Sequence, residues 1–435
     1  MLEKLNKNNE NEIEYLKPII IDINGRPRGL ILKKDPRNYN GICFDGSSIK
    51  GHTPIEESDL IAKPDQKTIK TIDVYGRRVG IAICDIESTP GKPYLKNTRM
   101  KLKNYIKELE GKDLKFKVGV EIEYFIVKKR EKIMPYDQDQ YFEIAPYTKS
   151  ERIQLKIMEK LLSVGINVEK IHHEVAEGQY EFSIKASDPI TTADNIILSK
   201  ILIKDVVKRC GLEATFMPKP FKDMNGSGMH IHLSILDNED RNLFYDEGSG
   251  NLSKMAICAI GGILRHSREI SLIVAPTVNS YKRLKPGYEA PNRICWGYGN
   301  RSTLIRVPNL INKDLCRMEY RHPDPSCNPY LAILVIISSA LNGIENNMET
   351  EEASKENTYK SEKKYSTLPS NLGEAIEEFE RSEFMMNILG EQIRNEILKI
   401  KKIEWMEYMN YITKNRLKED DEITNWEIEK YLVKT

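Results

Sequence analysis

The chain has 435 residues, of which 40% are hydrophobic and 30% are charged, and its formal net charge is only +1. This length can bury a large core and favours two or three domains. The near-neutral charge gives no preference for nucleic acid or for an anionic membrane surface, and no apolar run approaches the roughly 20 residues that span a bilayer.

The first residues lack the apolar core of a secretory signal, and the seven cysteines include no Cys-x-x-Cys pair. Neither a disulfide framework nor a zinc ribbon is therefore indicated, and we expect a cytoplasmic protein.

The first 90 residues or so are rich in strand signals. Residues 18–32 predict a hairpin, because apolar residues 19–21 and 30–32 flank the favoured turn pair Asn24-Gly25. A second hairpin is predicted over residues 71–86, with its turn near Gly76. A Pro-Gly-Lys-Pro segment follows at residues 90–93. We therefore predict a small N-terminal domain over residues 1–94 and a larger one over residues 95–435.

The second part of the chain alternates helical and strand-like patterns. Asn97 can cap a helix that runs to about residue 110, ahead of a strand over residues 115–127. Residues 149–165 and 192–210 have helical periodicity, and each is followed by a strand-like segment. Residues 349–366 are polar and predict an exposed loop, and a helical pattern then continues to a capping box at residues 424–427. This alternation predicts a mixed core of helices and strands.

Four separated stretches place acids, histidines or arginines at every second position. In a β-strand, residues two apart point to the same face, so each stretch would gather its polar groups on one side. Clustered carboxylates cannot all stay ionised without cations, and acids with one or two imidazoles suit Mg²⁺ or Mn²⁺ better than structural zinc. If the four strands share a sheet, they would form a polar trough that holds metal ions. The stretches are residues 121–123, 177–181, 230–232 and 317–321, with Ile122, Tyr180, Ile231 and Met318 on the apolar side.

Two loops and a series of arginines complete the polar pattern. The chain has neither a Walker-type P-loop nor a Gly-x-Gly-x-x-Gly segment. An Asn-Gly-Ser-Gly loop at residues 225–228 precedes the histidine strand, and residues 279–291 mix cations, one acid, Pro and Gly. Arginines that alternate with apolar residues suit carboxylates and phosphates. Together with divalent cations they fit phosphoryl transfer, and they leave the substrate open.

In this order, the segments resemble glutamine synthetases of class I, the bacterial and archaeal type, over residues 22–431. The resemblance implies an α+β fold, with a small N-terminal β-grasp-like domain. Its larger catalytic domain would have an antiparallel sheet that forms a half-barrel trough backed by helices. The motifs that carry the resemblance are residues 44–49 (Phe-Asp-Gly-Ser-Ser-Ile), 121–123, 172–179, 215–219 with 225–232, 279–291, 300–302, and 317–321 with 328–330.

The resemblance also implies two Mg²⁺ or Mn²⁺ ions in each active site, ATP as a substrate, and a role for each matching residue. The first ion would be held by Glu123, Glu174 and Glu181, and the second by Glu121, His230 and Glu319. Glu177 stays outside these sets and is interpreted as a neighbouring solvated acid. Glutamate would be bound by Asn225, Gly226, Arg283, Glu289 and Arg321; ATP by His232, Ser234, Arg301, Arg306 and Arg317; and ammonium by Asp45, Ser48, Tyr141 and Glu174.

The implied reaction joins ammonia to L-glutamate through γ-glutamyl phosphate, giving L-glutamine, ADP and phosphate. Direct catalytic roles fall to Asp45, Arg301 and Glu289, the last on a loop that would close over the site. Asp45 would reach in from a neighbouring subunit, so the resemblance implies a homo-oligomer, a dodecamer of two hexameric rings. Residues 426–435 resemble the tail that grips the opposite ring. A regulatory protein or small-molecule effector stays open.

Two other functions stay open at this point. The first is a γ-glutamyl ligase that uses an amine or polyamine in place of ammonia. Such relatives usually alter the ammonium pocket, and this chain retains the four matching residues. The second is a non-catalytic structural homologue, against which the intact set of buried acids argues, because unpaired buried acids would destabilise such a scaffold.

The chain departs from the family pattern at several positions. Pro54 stands where many relatives have an arginine involved in feedback by glutamine, so we expect weak or altered feedback when activity is titrated with glutamine. Tyr359 lies near the position that is adenylylated in some bacterial relatives, but residues 360–364 differ from that pattern, and we expect a plain surface tyrosine. His172 and His173 are expected to be structural.

Overall fold

The computed structural model describes residues 13–129, 132–285, 287, 289–308, 313–419 and 422–435. An eight-stranded sheet occupies the N-terminal part, with the strand order β2-β1-β7-β5-β4; β3 also pairs with β1, and β6 and β8 pair with β7. Strands β1 and β7 are parallel, and the other pairs are antiparallel. The strands are β1 Tyr15–Ile21, β2 Pro27–Gly29, β3 Leu32–Lys33, β4 Ile42–Asp45, β5 Asp59–Pro64, β6 Lys70–Val74, β7 Arg77–Thr89 and β8 Lys92–Pro93.

Both predicted hairpins are confirmed, the first with a shorter return strand than predicted. Ile21 pairs with Pro27 across a turn in which the Asp22 carboxylate accepts the Asn24 backbone N–H and Gly25 has a φ of 79°. Residues 30 and 31 belong to no strand and are exposed, because the return strand is interrupted between β2 and β3. The second hairpin joins β6 and β7 through a turn with positive φ at Tyr75 and Gly76, as twisted strands favour.

A nine-stranded, mainly antiparallel sheet forms the trough of the larger part, with the order β11-β12-β9-β14-β19-β18-β17; β10 and β13 pair with β9. Strands β15 and β16 form a separate two-stranded ribbon. These strands are β9 Lys115–Lys129, β10 Ile133–Pro135, β11 Val168–His173, β12 Gln179–Ser187, β13 Glu213–Thr215, β14 Met229–Leu236, β15 Tyr245–Asp246, β16 Asn251–Leu252, β17 Trp296–Tyr298, β18 Ile305–Val307 and β19 Met318–Tyr320.

Helices back this sheet. Helix α3 packs against β9 and β12, and α4 and α7 pack against each other. Asn97 caps α1 as predicted, by accepting the Met100 backbone N–H. The helices are α1 Thr98–Glu110, α2 Glu151–Ser163, α3 Pro189–Arg209, α4 Lys254–His266, α5 Ser271–Val274, α6 Val278–Arg283, α7 Pro329–Glu345, α8 Leu372–Arg381, α9 Glu383–Leu389, α10 Glu391–Lys414 and α11 Asn425–Tyr431. The fold is therefore α+β, as predicted, with a β-grasp domain ahead of a half-barrel.

One buried arginine joins the two sheets. Arg99, on α1, is only 2% exposed. Its guanidinium lies 3.0 Å from Asp65 and 2.7 Å from Asp85 of the N-terminal part, and 2.8 Å from Asp194 of α3. Tyr330 donates a further hydrogen bond of 2.6 Å to Asp194. This cluster fixes the N-terminal domain on the larger domain.

Helix α11 packs against its own chain. The capping box predicted at Thr424 and Glu427 is present, and the side chains of Glu427 and Tyr431 are buried. The surrounding residues belong to α6 and α10, through contacts of Glu427 with Lys282 and of Tyr431 with Glu404. Within the described ranges, no helix combines the length and apolarity that crossing a membrane requires.

Candidate active site

The polar face of the larger sheet lines a cavity of about 260 Å³. The structure brings sixteen of the predicted site residues to its wall. These are Glu121, Glu123, Tyr141, Glu174, Glu181, Asn225, Gly226, His230, His232, Arg283, Glu289, Arg301, Arg306, Arg317, Glu319 and Arg321.

Strand register gathers the acids and imidazoles. Glu121 on β9 faces His230 on β14, Glu123 on β9 faces Glu181 on β12, and Glu319 on β19 faces His232 on β14. Side chains directly opposite each other on neighbouring strands lie about 5 Å apart at Cβ. Four strands therefore place their polar groups on one small surface.

The apolar side of the same strands is buried, as the alternation predicted. Ile122 and Tyr180 are 0% exposed, Ile231 is 1% and Met318 is 2%. One predicted stretch is shorter than expected, however, because β12 begins only at Gln179. Gly178, with a φ of 68°, ends the alternation, and Glu177 stays outside the cavity.

The predicted second-ion residues lie close together around His230. Its Nδ1 atom lies 3.4 Å from Glu319 Oε1 and 3.9 Å from Glu121 Oε2. One ligand atom from each of these three residues lies within 4.8 Å of the other two, the spacing needed to share one ion.

The predicted first-ion residues surround the neighbouring space. Glu123 and Glu181 group with His230 within the same 4.8 Å, and Glu174 and Glu181 group with His172. The Glu123 carboxylate is also oriented by the Gly228 backbone N–H, at 2.8 Å. His230 belongs both to the second-ion group and to the group of Glu123 and Glu181. Glu181 in turn belongs to both first-ion groups, so the acids form one continuous cluster.

Burial and mutual repulsion control the charges of this cluster. Burial, followed by the charges of Glu174 and Glu181, raises the pKa of Glu123 well above its usual value. Burial and the Glu181 charge raise the pKa of Glu174 to about 7. Burial disfavours ionisation of Glu319 as well, but the Arg321 guanidinium outweighs it and lowers the pKa of Glu319 to about 2.

These donors fit divalent metal ions. Carboxylate oxygens with one imidazole are a donor set for Mg²⁺ or Mn²⁺, and two positive ions would remove the repulsion that keeps protons on Glu123 and Glu174. Several basic side chains also lie against the acids. Arg306 and Arg321 each lie 2.6 Å from the Glu319 carboxylate.

Lys170 is a cavity residue that the sequence pattern missed. Its Nζ atom lies 3.1 Å from Glu121 and 3.0 Å from Glu181, between the two groups of acids. Its side chain is 47% exposed. Nothing in the sequence distinguishes a lysine at this position from a solvated strand lysine, because its partners come from β9 and β12.

His172 has a partner at each ring nitrogen, as expected of a structural histidine, with the His173 carbonyl 3.2 Å from Nδ1. Its ring lines the cavity, with Nε2 at 3.1 Å from Glu181 and Nδ1 at 3.7 Å from Glu174. His173 is structural, as expected: both ring nitrogens are occupied by the Glu174 carbonyl and by Asp137, at 2.6 and 3.0 Å. The alternation of β11 therefore turns only one of the two histidines towards the acids.

The Asn-Gly-Ser-Gly loop needs its glycines for close packing. A Cβ atom on Gly226 would lie 2.4 Å from the Pro218 carbonyl and 2.9 Å from Arg283 Cγ. Arg283 is 2% exposed and is fixed by hydrogen bonds of 2.9 Å to the carbonyls of Arg321 and His322. The loop and the arginine thus form one rigid wall of the cavity.

The expectation of a plain surface tyrosine at position 359 is wrong. Thr358 anchors this loop by two hydrogen bonds to Ser302, of 2.9 and 2.5 Å. The Tyr359 hydroxyl is buried and has no hydrogen-bond partner among the described residues. Burial raises its pKa to about 12, in the field of Arg321 and Glu289. The conformation of the loop, which composition does not reveal, turns the ring inward.

Three predicted site residues do not line this cavity: Asp45, Ser48 and Ser234. The Asp45 carboxylate accepts hydrogen bonds from the hydroxyls of Ser47 and Ser48, at 2.6 and 2.5 Å, on the exposed surface of the N-terminal domain. Ser234 lies on β14, two residues beyond His232. The role of Asp45 in a neighbouring subunit stays a prediction.

Comparison with known proteins agrees with this architecture. A family model described as the glutamine synthetase β-grasp domain matches residues 12–89, and one described as the glutamine synthetase catalytic domain matches residues 95–420. The fold and the site thus define an ATP-dependent ligase that forms a carbon–nitrogen bond.

Full-length relatives narrow the class. A glutamine synthetase from Pyrococcus horikoshii is 40% identical over an alignment of 451 positions, which covers 99% of each chain. One from Thermotoga maritima is 38% identical, with 97% of both chains covered. The chain belongs to the glutamine synthetase family.

Solved structures show the same fold. A structure described as GmaS without ligand has a TM-score of 0.85 and 29% sequence identity. A Plasmodium falciparum glutamine synthetase has a TM-score of 0.84 and 25% identity, and both cover 98% of each chain.

Proposed function

We propose that this protein joins ammonia to L-glutamate by way of γ-glutamyl phosphate, with ATP as the phosphoryl donor. The observation that carries the proposal is that one cavity brings the six proposed metal ligands opposite five arginines. Neither ATP nor an amino acid could bind among so many carboxylates without cations. The ligands are those assigned above, with Glu123, Glu174 and Glu181 for the first ion and Glu121, His230 and Glu319 for the second.

Glutamate would lie along the wall formed by the glycine loop and the arginines. Arg283 would bind the α-carboxylate, with Glu123 and Gly226 near the amino group and Asn225 alongside. Arg321 would hold the γ-carboxylate, which must face the terminal phosphate of ATP. The carbonyl of Glu289 lies 3.4 Å from Arg321, so the loop that carries Glu289 contacts this end of the site.

ATP would be met by the remaining cations. His232, Arg306 and Arg317 would bind its phosphates, with Ser234 further along the same strand, and Arg301 would face the transferring phosphate. The two bound ions would supply positive charge that shields the phosphates from the acids. The γ-carboxylate oxygen then attacks the terminal phosphorus, the bond from that phosphorus to the bridging oxygen breaks, and ADP leaves. Positioning and charge stabilisation supply most of the catalysis in such transfers.

The second step needs neutral ammonia. Ammonium must lose a proton before its nitrogen can attack, so the pocket needs a negative group that binds the cation and a base that takes the proton. Glu174 and Tyr141 would form the part supplied by the same chain, and Asp45 and Ser48 the part supplied by a neighbour. Ammonia attacks the γ-carbonyl carbon, the bond to the phosphate oxygen breaks, and phosphate leaves with L-glutamine as the product.

A coupled assay of ADP release tests this function. Release should require L-glutamate, ammonium and Mg²⁺ together, and glutamine should accumulate in equal amount. Replacing ammonium with ethylamine or putrescine separates the proposal from an amine ligase: rapid turnover with either amine and none with ammonium would establish that alternative. No phosphate release under any of these conditions would favour a non-catalytic homologue.

A mixing experiment tests the shared site. Asp45→Ala should slow the ammonia step and spare ATP binding, whereas Glu319→Ala should weaken the metal and nucleotide site. If neighbouring subunits share each site, mixed oligomers of the two variants will contain some sites that lack neither residue. Activity should therefore return after the two are dissociated and reassembled together. No recovery, with mixed assembly verified, would place Asp45 outside the neighbour's site.

The assembly belongs to the same proposal. A homo-oligomer, in the form of two stacked six-membered rings, would bring Asp45 to a neighbour's cavity, and a domain boundary at residues 94–95 would separate the part that reaches across. Sizing of the particle by light scattering checks the assembly.

A further inference from the structure

Asn279 joins three separate segments behind the cavity. Its side chain is 0% exposed. Its Oδ1 atom accepts the Lys219 backbone N–H at 2.6 Å, and its Nδ2 atom donates to the Lys219 carbonyl at 2.9 Å. The same Nδ2 atom donates to Glu427 Oε1 at 2.9 Å. One amide thus connects the segment before the glycine loop, helix α6 and helix α11.

The other carboxylate oxygen of Glu427 is equally well bound. Glu427 Oε2 lies 2.6 Å from Lys282 Nζ, and it also accepts from the backbone N–H and hydroxyl of Thr424, both at 2.9 Å. Lys282 donates a further bond of 2.5 Å to the Glu422 carbonyl. The side chains of this ion pair are 6% and 0% exposed. Such a buried pair has a well-defined geometry, and losing one partner leaves an uncompensated charge.

This network is attached directly to the proposed glutamate subsite. Lys282 and Arg283 are adjacent on α6, and Lys219 follows Pro218, whose carbonyl accepts the Ser227 backbone N–H at 2.7 Å. The same carbonyl is the atom that a Cβ on Gly226 would strike. Asn279 therefore holds together the two elements proposed to bind the amino acid, helix α6 with Arg283 and the glycine loop with Gly226.

The nucleotide side is held differently. Arg306 is supported by Glu319, and Arg317 Nε lies 3.2 Å from His232 Nδ1, all on β14, β18 and β19 or their ends. Within the described ranges, no hydrogen bond or ion pair of Arg306 or Arg317 reaches α11 or Asn279. A loss of the network should consequently affect one substrate and spare the other.

We propose that Glu427 is a positioning residue, through which helix α11 sets the affinity of the amino-acid subsite while leaving the nucleotide subsite unchanged. The proposal rests on the assignment of Arg283 and Gly226 to glutamate. It gives the last described helix of the chain a role in substrate binding as well as in packing.

Two variants test it. Glu427→Gln removes the charge but keeps an acceptor for Asn279, and the double variant Lys282→Met with Glu427→Gln leaves no unpaired charge if the single variant fails to fold. Each should raise the KM for glutamate about tenfold, because a displacement of ~1 Å at a positioning group can cost up to ~100-fold. The KM for ATP should stay within about twofold of wild type, since the residues proposed to bind ATP keep their contacts.

Glu404→Gln is the matched control. Glu404 is also buried, and it also holds α11, by accepting the Tyr431 hydroxyl at 2.6 Å. Its other hydrogen bond is to Lys401, and within the described part of the chain it forms none with Asn279 or Lys282. It should leave both KM values within about twofold of wild type. Melting curves of all the variants would verify that the comparison is made on folded protein.

Calorimetric binding of glutamate to the Mg²⁺- and ADP-loaded protein gives a readout that needs no turnover. Weaker binding in the double variant, with ADP affinity retained, supports the proposal. Glutamate affinity equal to wild type in the folded double variant overturns it, and so does a parallel loss of ADP affinity. If wild type binds glutamate but releases no ADP from ATP, the proposed ligation is wrong, while the binding comparison still decides the role of Glu427.

Discussion

Two glutamates in the same cavity have opposite tendencies to ionise. Glu174 is largely buried and lies near the charge of Glu181, and both raise its pKa, to about 7. Glu319 is still more buried, but Arg321 lies 2.6 Å away and lowers its pKa to about 2. The neighbours of each carboxyl group, more than its depth, decide whether a metal ion must displace a proton in order to bind it.

Metal binding should therefore depend on pH through Glu174. Because a proton and a metal ion compete for a carboxylate whose pKa is raised, binding should weaken as the pH falls through 7. Well below pH 7 the loss approaches about tenfold per pH unit for one proton. Mn²⁺ titrations at pH 6, 7 and 8 measure this loss, and Glu174→Gln should flatten the profile. Glu177→Gln, just outside the cavity, is the control, and a profile equally steep in both variants would contradict the prediction.

Sequence reasoning succeeded for residues whose role depends on their own strand, and failed for residues whose partners lie elsewhere. Glu121, Glu123 and His230 could be found from their alternation alone. Lys170 and Tyr359 could not, because the acids near Lys170 and the arginine near Tyr359 come from other segments of the chain.

At the scale of elements, strand periodicity fixes which face is polar but leaves the register open. The pairing of Glu121 with His230 depends on how β9 and β14 slide past each other. A shift of one residue would turn every ligand of one strand into the core. Buried Ile122 and Ile231 on the opposite face set that register. Their burial thus determines where the proposed metal ligands meet.

The glycine loop gives a prediction at this scale. Gly226→Ala places a methyl group against the Pro218 carbonyl and Arg283, so the loop or the arginine must move. We expect the KM for glutamate to rise by about tenfold or more, since subsite geometry must be held to about 0.5 Å. Steady-state kinetics measure this change. Gly248→Ala is the control, because its added methyl would make only an ordinary contact of 3.5 Å. Equal kinetics for the two variants would show that the loop adapts freely.

At the scale of the whole molecule, Arg99 links the β-grasp domain to the catalytic domain. Arg99→Met would leave Asp194 without its cationic partner in a buried position, and Asp65 and Asp85 would lose one of theirs. Breaking a buried pair in this way costs about 3–5 kcal/mol. Denaturant titration should show the loss of stability. Adding Asp194→Asn should restore part of it, and no restoration would mean that the carboxylate of Asp194 is not the cause.

The overall architecture, like the site, was predictable from the sequence only in part. Both hairpins, the helix capped by Asn97 and the capping box at Thr424 follow from local turn and cap chemistry. The order of strands in each sheet does not, because it depends on pairings between distant segments. The resemblance to a known family supplied the β-grasp and half-barrel architecture, and no strand order was predicted. The docking of α11 behind α6 of its own chain was not predicted, because the resemblance assigned residues 426–435 to contacts with the opposite ring and Glu427 alone resembles any helix-capping acid.

The topology of the larger sheet has a consequence for how the protein is made. Glu121 and Glu319 are 198 positions apart (319 − 121), and Glu427, the acid paired with Lys282 on α6, is still further along. A ribosome must therefore translate almost the entire message before the cavity can close. Such distant pairings form slowly, and the half-finished polypeptide carries Glu121, Glu123, Glu174 and Glu181 before the arginines of the cavity have been made. The proposed divalent ions would find their full set of ligands only after Glu319 has joined the sheet, late in the folding of the chain.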